Sequence, residues 1–187
     1  MNNAVSPAVF LDRDGTIMED RNYCSDPKDV KIFPGAPKAL RHLKSNGFKI
    51  ITITNQSGIG RGFFTLEQYR AVEAEVLQRL NSDLLDATYF CADVPGQLSS
   101  FRKPAPGMIL QAAREHQIDL SCSFLIGDKE IDVECAHNAG VRAIRVKTGP
   151  QNDTSGSKAD WIADDVAAAA EIILKAHGPA TERPIGG

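Results

Sequence analysis

The sequence predicts a single doubly wound α/β domain with a mainly parallel sheet and no separate cap domain. Two observations carry this expectation. Short apolar or β-branched runs alternate along the chain with helix-patterned segments, which implies βαβ units with helices on both sheet faces. The 187 residues, 42% hydrophobic and 24% charged, suit one core, and no second composition block is large enough for another domain. Residues 1–177 are assigned to the domain, and 178–187, rich in Pro and Gly, to a flexible tail.

Each element has a local reason. Ala8–Leu11 is a short apolar strand. Pro37–Ser45 is a helix with Pro near its start, Ala39, Leu40 and Leu43 on one face, and Gly47 beyond its end. Lys49–Thr54, "KIITIT", is a strand. Thr65-Leu-Glu-Gln68 has capping-box form, followed by Tyr69, Val72, Val76 and Leu80 at helical spacing. Ala87–Phe90 is a third strand, and Cys91–Pro106 is irregular. Met108–His116 is a helix and Ser123–Ile126 a strand. Ile131–Ala139 is a helix closed by Gly140, and Ala143–Val146 is another strand. A polar loop, Thr148–Lys158, leads to a short edge strand at Ala159–Ile162 and the helix Val166–His177.

Composition narrows the functions. The net charge is −3 and the 21 Lys and Arg residues are scattered, which argues against a nucleic-acid partner or an anionic membrane surface. No segment reaches bilayer-spanning length, so a cytoplasmic protein is expected. Cys24, Cys91, Cys122 and Cys135 are widely spaced with no C-x-x-C pair, as expected of free thiols filling small buried sites.

In open α/β sheets, ligands bind outside the carboxyl ends of the strands, so the polar groups that follow strands matter most. After the first strand come Asp12 and Asp14 in "FLDRDGTI", and after the second "TNQSGIGRG" (Thr54–Gly62). After the third comes "FRKPAPGM" with Arg102 and Lys103, and after the fourth "IGDKEID" with Asp128, Lys129 and Asp132. Together they hold carboxylates, a hydroxyl, backbone donors and cations, the parts of a metal-assisted phosphate site.

Simpler readings exist for each. An EF-hand starting at Asp12 would need glycine where Ile17 stands and glutamate where Tyr23 stands, so that reading fails. Asp14-Gly15 could be a plain turn. A dinucleotide fingerprint from Gly58 and Gly60 would need glycine at Phe63, and no P-loop occurs. Arg102 and Lys103 alone could be a solvated pair, and Asp128 and Asp132 could favour a helix N-terminus.

The four motifs in this order resemble the haloacid dehalogenase (HAD) superfamily of phosphotransferases over about residues 8–149. They are most similar to its capless histidinol-phosphate and heptose-bisphosphate phosphatase branch, which implies a Rossmann-like HAD domain. By that resemblance Asp12 is the nucleophile, forming an aspartyl-phosphate. Asp14 is the general acid and base. Asp12, the Asp14 carbonyl and Asp128 are the ligands of Mg²⁺, a hard cation suited to oxygen donors. Thr54 and Asn55 donate to phosphoryl oxygens, the latter through its backbone, and Lys103 pairs with the phosphoryl group and Asp12. Asp20, Arg21, Asn22, Tyr23, Gln56, Ser57, Arg102 and Lys129 are substrate-binding candidates. Asp132 has three readings: orienting Lys103, orienting metal ligands, or favouring its helix terminus.

Many members of the branch carry a zinc loop of Cys-x-His followed by Cys-x-Cys before Arg-Lys. Here Cys91-Ala-Asp93 and Ser99-Ser-Phe101 stand instead. Zinc normally needs four ligands, so no zinc is expected, and packing with local hydrogen bonds must hold the loop Asp93–Phe101. The resemblance implies hydrolysis of D-glycero-D-manno-heptose 1,7-bisphosphate to the heptose 1-phosphate, a precursor of the activated heptose of surface polysaccharide. The alternatives are histidinol phosphate or another small phosphosugar, and outside enzymes a phospho-receiver domain. The partner is then a small phosphorylated sugar, and a monomer is expected.

Overall fold

The computed structural model describes residues 5–81 and 83–178. Its strands are β1 (Ala8–Leu11), β2 (Lys49–Asn55), β3 (Ala87–Cys91), β4 (Phe124–Gly127), β5 (Arg142–Val146) and β6 (Trp161–Ala163). They form one sheet in the order β3-β2-β1-β4-β5-β6, with every neighbouring pair parallel. The chain steps outward from β1 to β3, then returns so that β4 lies on the other side of β1. The strand order thus reverses between β1 and β4, where a doubly wound sheet opens its ligand crevice.

The helices are α1 (Ala36–Ser45), α2 (Ser57–Gly60), α3 (Leu66–Leu80), α4 (Gly107–His116), α5 (Glu130–Ala139) and α6 (Val166–His177). Alternation along the strands divides the core in two. Val9, Leu11, Ile50, Ile126 and Ile144 pack with the apolar faces of α1, α3 and α6. Ala8, Phe10, Ile51, Ile53, Leu125 and Ala143 pack with α4 and α5 on the opposite face. All four residues of β1 and of β4 are buried. That explains why these strands read as continuous apolar runs rather than alternating ones.

The expected elements form, most with ends shifted by a residue or two. The capping box is complete: Thr65 Oγ1 accepts from Gln68 N–H, and Gln68 Oε1 accepts from Thr65 N–H. The buried face of α3 is Tyr69, Val72, Val76 and Leu80, as its spacing indicates. The edge strand starts two residues later than expected, at Trp161. Asp160 explains the shift, because its carboxylate accepts from Ala143 N–H and takes the place of a ladder bond. Helix α2 falls within "TNQSGIGRG", where no helix is expected from sequence, because four residues with two glycines carry no helical period. At Gly58 a Cβ would lie 2.1 Å from the Phe64 ring, so only glycine lets that ring close over the turn.

Cys24, Cys91 and Cys135 are buried and Cys122 is half-buried. The last departs from the expectation of buried thiols because Cys122 ends a 3-10 turn, Leu120–Cys122, on the surface. All four thiols are free. The tail expected from residue 178 lies, apart from Gly178, outside the described residues.

Candidate active site

The switch point gathers side chains from every predicted strand end. Asp12 follows β1, Thr54 and Asn55 end β2, Lys103 stands in the loop after β3, and Asp128 follows β4. Asp12, Asp14, Thr54, Asn55, Lys103, Lys129 and Asp132 line one small cavity of about 60 Å³. It adjoins a larger one of about 190 Å³ lined by Asp14, Asp20, Asn22, Tyr23, Asn55, Gln56 and Lys129. Asp12 N–H still donates to the Ile126 carbonyl, and beyond Arg13 the backbone turns, with the amides of Thr16, Ile17 and Met18 donating to the Arg13 carbonyl.

Lys103 is buried, and its ammonium sits 2.6 Å from Asp12 Oδ1, 2.7 Å from Asp132 Oδ1 and 3.1 Å from the Ile53 carbonyl. Burial alone would lower its pKa, but the charges of Asp12 and Asp132 reverse that and hold it above the ordinary lysine value. Asp132 therefore orients Lys103, and it also serves its helix terminus: Oδ2 accepts from Lys129 N–H at 3.1 Å. The Asn55 side chain accepts from Lys103 N–H and donates to the Lys103 carbonyl, both at 3.1 Å. This two-bond clamp fixes the lysine's backbone against the end of β2.

Asp128 is different. It is fully buried, yet among the described residues neither carboxylate oxygen has a hydrogen-bond partner. Lys129 Nζ approaches Oδ2 only to 3.6 Å. Two glycines make room for this carboxylate: a Cβ on Gly15 would lie 2.6 Å from Asp128 Oδ2, and one on Gly149 would lie 1.9 Å from it. Burial, reinforced by the charge of Asp12, pushes the Asp128 carboxyl up to about 8. One oxygen each of Asp12, Asp128 and Asp132 lies within 4.8 Å of the others. Lys103 pairs with both Asp12 and Asp132, and Asp132 also accepts from Lys129 N–H, so Asp128 is the one of the three with no hydrogen bond to either oxygen among the described residues. An oxygen-only pocket with an unpartnered buried carboxylate fits a hard divalent cation.

The substrate-binding candidates divide. Asp20 accepts from Lys129 Nζ at 3.1 Å and from Asn22 N–H at 2.9 Å, closing the 20–23 loop over the larger cavity. Asn22 and Tyr23 hold positive φ there, at 47° and 69°. Gln56 Nε2 donates to Asp14 Oδ2 at 2.8 Å and to Thr54 Oγ1 at 2.9 Å. Arg21 instead pairs with Glu19 at the surface, and neither Arg21 nor Ser57 lines these two cavities. Arg102 lines a neighbouring cavity of about 470 Å³ together with Ser99, Lys103 and Ile131. Its guanidinium donates to the Asp93 carbonyl at 2.9 Å, and Ser99 Oγ accepts from the amides of Phe101 and Arg102. Local hydrogen bonds thus hold the 93–101 loop, as expected.

Two buried arginines were not read from the sequence. Arg13, between the two aspartates, is 1% exposed and pairs with Asp14 and Glu73. Arg145 donates to the Asp128 carbonyl at 3.2 Å and to the carbonyls of Gln151 and Asp153, tying the 148–158 loop to the turn that carries Asp128. The available signal for Arg145 was a cation inside the apolar run "RAIRV".

A buried lysine on two carboxylates, beside a third with no hydrogen bond to either oxygen, stands at the switch point of a parallel sheet, with the donor set of a phosphoryl-transfer site. Comparisons with known proteins agree. The HAD-hydrolase-like family model matches residues 100–169. The D-glycero-β-D-manno-heptose-1,7-bisphosphate 7-phosphatase of Escherichia coli K12 is 37% identical over 93% of this chain and 97% of its own length. That of Helicobacter pylori is 46% identical over 72% of this chain and 80% of its own. Among solved structures, the D,D-heptose 1,7-bisphosphate phosphatase of B. bronchiseptica, complexed with magnesium and phosphate, aligns with a TM-score of 0.83 at 29% identity. That alignment covers 91% of this chain and 99% of the other. The Burkholderia thailandensis D,D-heptose 1,7-bisphosphate phosphatase aligns at 0.68 and 26% identity, over 90% of this chain and 98% of its own. The chain belongs to the HAD-like phosphatases, in the D-glycero-D-manno-heptose-1,7-bisphosphate 7-phosphatase family.

Proposed function

We propose that this chain is a Mg²⁺-dependent phosphomonoesterase that removes the 7-phosphate of D-glycero-D-manno-heptose 1,7-bisphosphate and leaves the heptose 1-phosphate. The observation that carries the reading is the pair formed by Asp12, held by Lys103, and Asp128, buried with no hydrogen bond to either oxygen. The relatives' shared activity supports the substrate. Asp12 Oδ attacks phosphorus as the bond from phosphorus to O7 breaks. Asp14 delivers a proton to O7, and afterwards takes one from the water that opens the aspartyl-phosphate. Thr54 Oγ1, the Asn55 backbone and Lys103 hold the phosphoryl oxygens. Asp12, the Asp14 carbonyl and Asp128 would hold Mg²⁺, which supplies charge neutralisation between an anionic nucleophile and an anionic ester.

Asp20, Asn22, Tyr23, Gln56 and Lys129 line the space for the sugar. Arg102, beside the wider cavity, is assigned to its second phosphate or a hydroxyl. Arg21 and Ser57 are at most outer contacts in this arrangement. The enzyme acts as a cytoplasmic monomer with no nucleic-acid or membrane partner. Phosphate release with Mg²⁺ from both heptose 1,7-bisphosphate anomers and from histidinol phosphate is the test. Preferential turnover of a heptose bisphosphate is expected, and preference for histidinol phosphate would overturn the substrate assignment.

The 93–101 loop holds no zinc in this reading. Of the four usual positions only Cys91 offers sulfur, and its thiol lies 3.8 Å from Ser99 Oγ. Metal analysis of protein purified without added metal should find zinc far below one equivalent; one equivalent would sink this part of the reading.

A further inference from the structure

The largest of the fully buried side chains is a cation, Arg13. It stands between the proposed nucleophile and the proposed acid, yet does not enter the cavities at the site. Its guanidinium forks onto the Asp14 carboxylate: Nε lies 3.2 Å from Oδ2, and Nη2 lies 3.2 Å from Oδ1 and 3.0 Å from Oδ2. On its other side Nη1 meets Glu73 Oε2 at 3.4 Å. Glu73 belongs to α3, and its second oxygen accepts from Thr88 Oγ1 of β3 at 2.9 Å. The Tyr69 ring, one helical turn before Glu73, lies 5.5 Å from the guanidinium carbon. A rigid chain thus runs from β3 and α3 to one carboxylate at the crevice.

Lone-pair counting at Asp14 gives this chain a purpose. Oδ2 receives Arg13 Nε, Arg13 Nη2 and Gln56 Nε2, and is saturated. Among the described residues Oδ1 receives only Arg13 Nη2, which leaves a lone pair open. We infer that Arg13, braced by Glu73, is a positioning residue that locks the Asp14 carboxylate in one orientation and makes Oδ1 the atom that carries the proton to the leaving oxygen. The inference rests on the reading of Asp14 as the acid. In the step concerned, the bond from Asp12 Oδ to phosphorus forms, the bond from phosphorus to O7 breaks, and the proton on Asp14 Oδ1 passes to O7. Planar fork geometry explains why arginine rather than lysine stands here, since an ammonium cannot hold both oxygens at fixed angle.

The experiment compares kcat/KM of the Mg²⁺-loaded enzyme on the heptose bisphosphate, an alkyl ester whose oxygen needs a proton, and on 4-nitrophenyl phosphate, whose phenolate leaves without one. Arg13→Lys is expected to lose about 10-fold or more on the alkyl ester and under about 3-fold on the aryl ester, a fraction of what a general acid supplies. Glu73→Gln, which keeps the volume and the Thr88 bond, should show the same imbalance at smaller size and guards against a misfolded Arg13 variant. In an Asp14→Asn background, Arg13→Lys should cost nothing further on the alkyl ester. Equal losses on both esters, or additive losses in the double variant, would overturn the positioning role. If Asp14→Asn itself shows no preference between the esters, the assignment of Asp14 as acid fails first, and the inference falls with it.

Discussion

Asp12→Asn should lower phosphate release by about 10⁴-fold or more, the scale seen when a nucleophile that works with its partners is removed. Asparagine nearly matches the shape of aspartate, and Lys103 keeps its second carboxylate, Asp132, at 2.7 Å. The variant should therefore fold, and its defect should be chemical. A second readout separates covalent from direct hydrolysis: acid-quenched wild type incubated with substrate should carry a phosphoryl group on the peptide containing Asp12, and the variant should carry none. Wild-type turnover by the variant would refute Asp12 as the nucleophile. A phosphorylated peptide elsewhere in the chain would move that role to another residue.

The opposite pairing of effects is expected at Asp128. Its carboxylate is buried with no hydrogen bond to either oxygen, and burial pushes its pKa up to about 8. Near pH 7 folding must bury this carboxyl either charged or with a proton taken up, and both cost stability that the amide of Asp128→Asn does not lose. In metal-free buffer near pH 7 the variant should therefore be more stable than wild type by about 1–3 kcal/mol, less than the full shift implies because the buried amide is itself unpartnered. With Mg²⁺ the gap should close or reverse. At about 100 times Kd, wild type gains about 2.7 kcal/mol, or about 5–10 °C in melting temperature for a chain of this size. The variant should gain almost nothing and lose most of its turnover. Thermal melts in chelator and in Mg²⁺ check both halves. A variant less stable than wild type without metal, or one equally stabilised by Mg²⁺, would remove Asp128 from the cation site.

The two variants probe different parts of one electrostatic arrangement. Lys103 is held by two carboxylates and a carbonyl, so its charge is compensated before any ligand arrives. Asp128 has only Lys129 Nζ, 3.6 Å away and with no hydrogen bond, and the protein holds it in place by glycines at 15 and 149 and by Arg145 on its carbonyl. Such a site keeps its donors fixed in advance, so little reorganisation remains for the reaction.

The sheet was legible because buried parallel strands and amphipathic helices leave different periods in sequence. β1 and α6 were read with their observed bounds, Ala8–Leu11 and Val166–His177. The edge strand was displaced because the Asp160 carboxylate, a side chain, replaces a backbone partner. Helix α2 was invisible because four residues are too few for a period. Asp132 could be given three readings from sequence, and two hold at once, one per carboxylate oxygen.

By itself the sequence determined the alternation of strands and helices and the chemistry that follows each strand. It placed two aspartates, a Thr-Asn pair, a lysine and a third aspartate at four successive strand ends, because chain order fixes which residues leave a strand at its carboxyl end. Only the tertiary structure decided which of those groups are paired and which are free. Lys103 stands 91 positions from Asp12 and still meets it at 2.6 Å. Glu73 reaches the Asp14 neighbourhood through Arg13 from 60 positions away. Pairing across such separations depends on the strand order and on burial, which set both distance and dielectric, and neither is written in any short stretch of the chain. "FLDRDGTI" alone shows two acids flanking a base; the fold turns the base into the brace of one acid and leaves the other to Lys103.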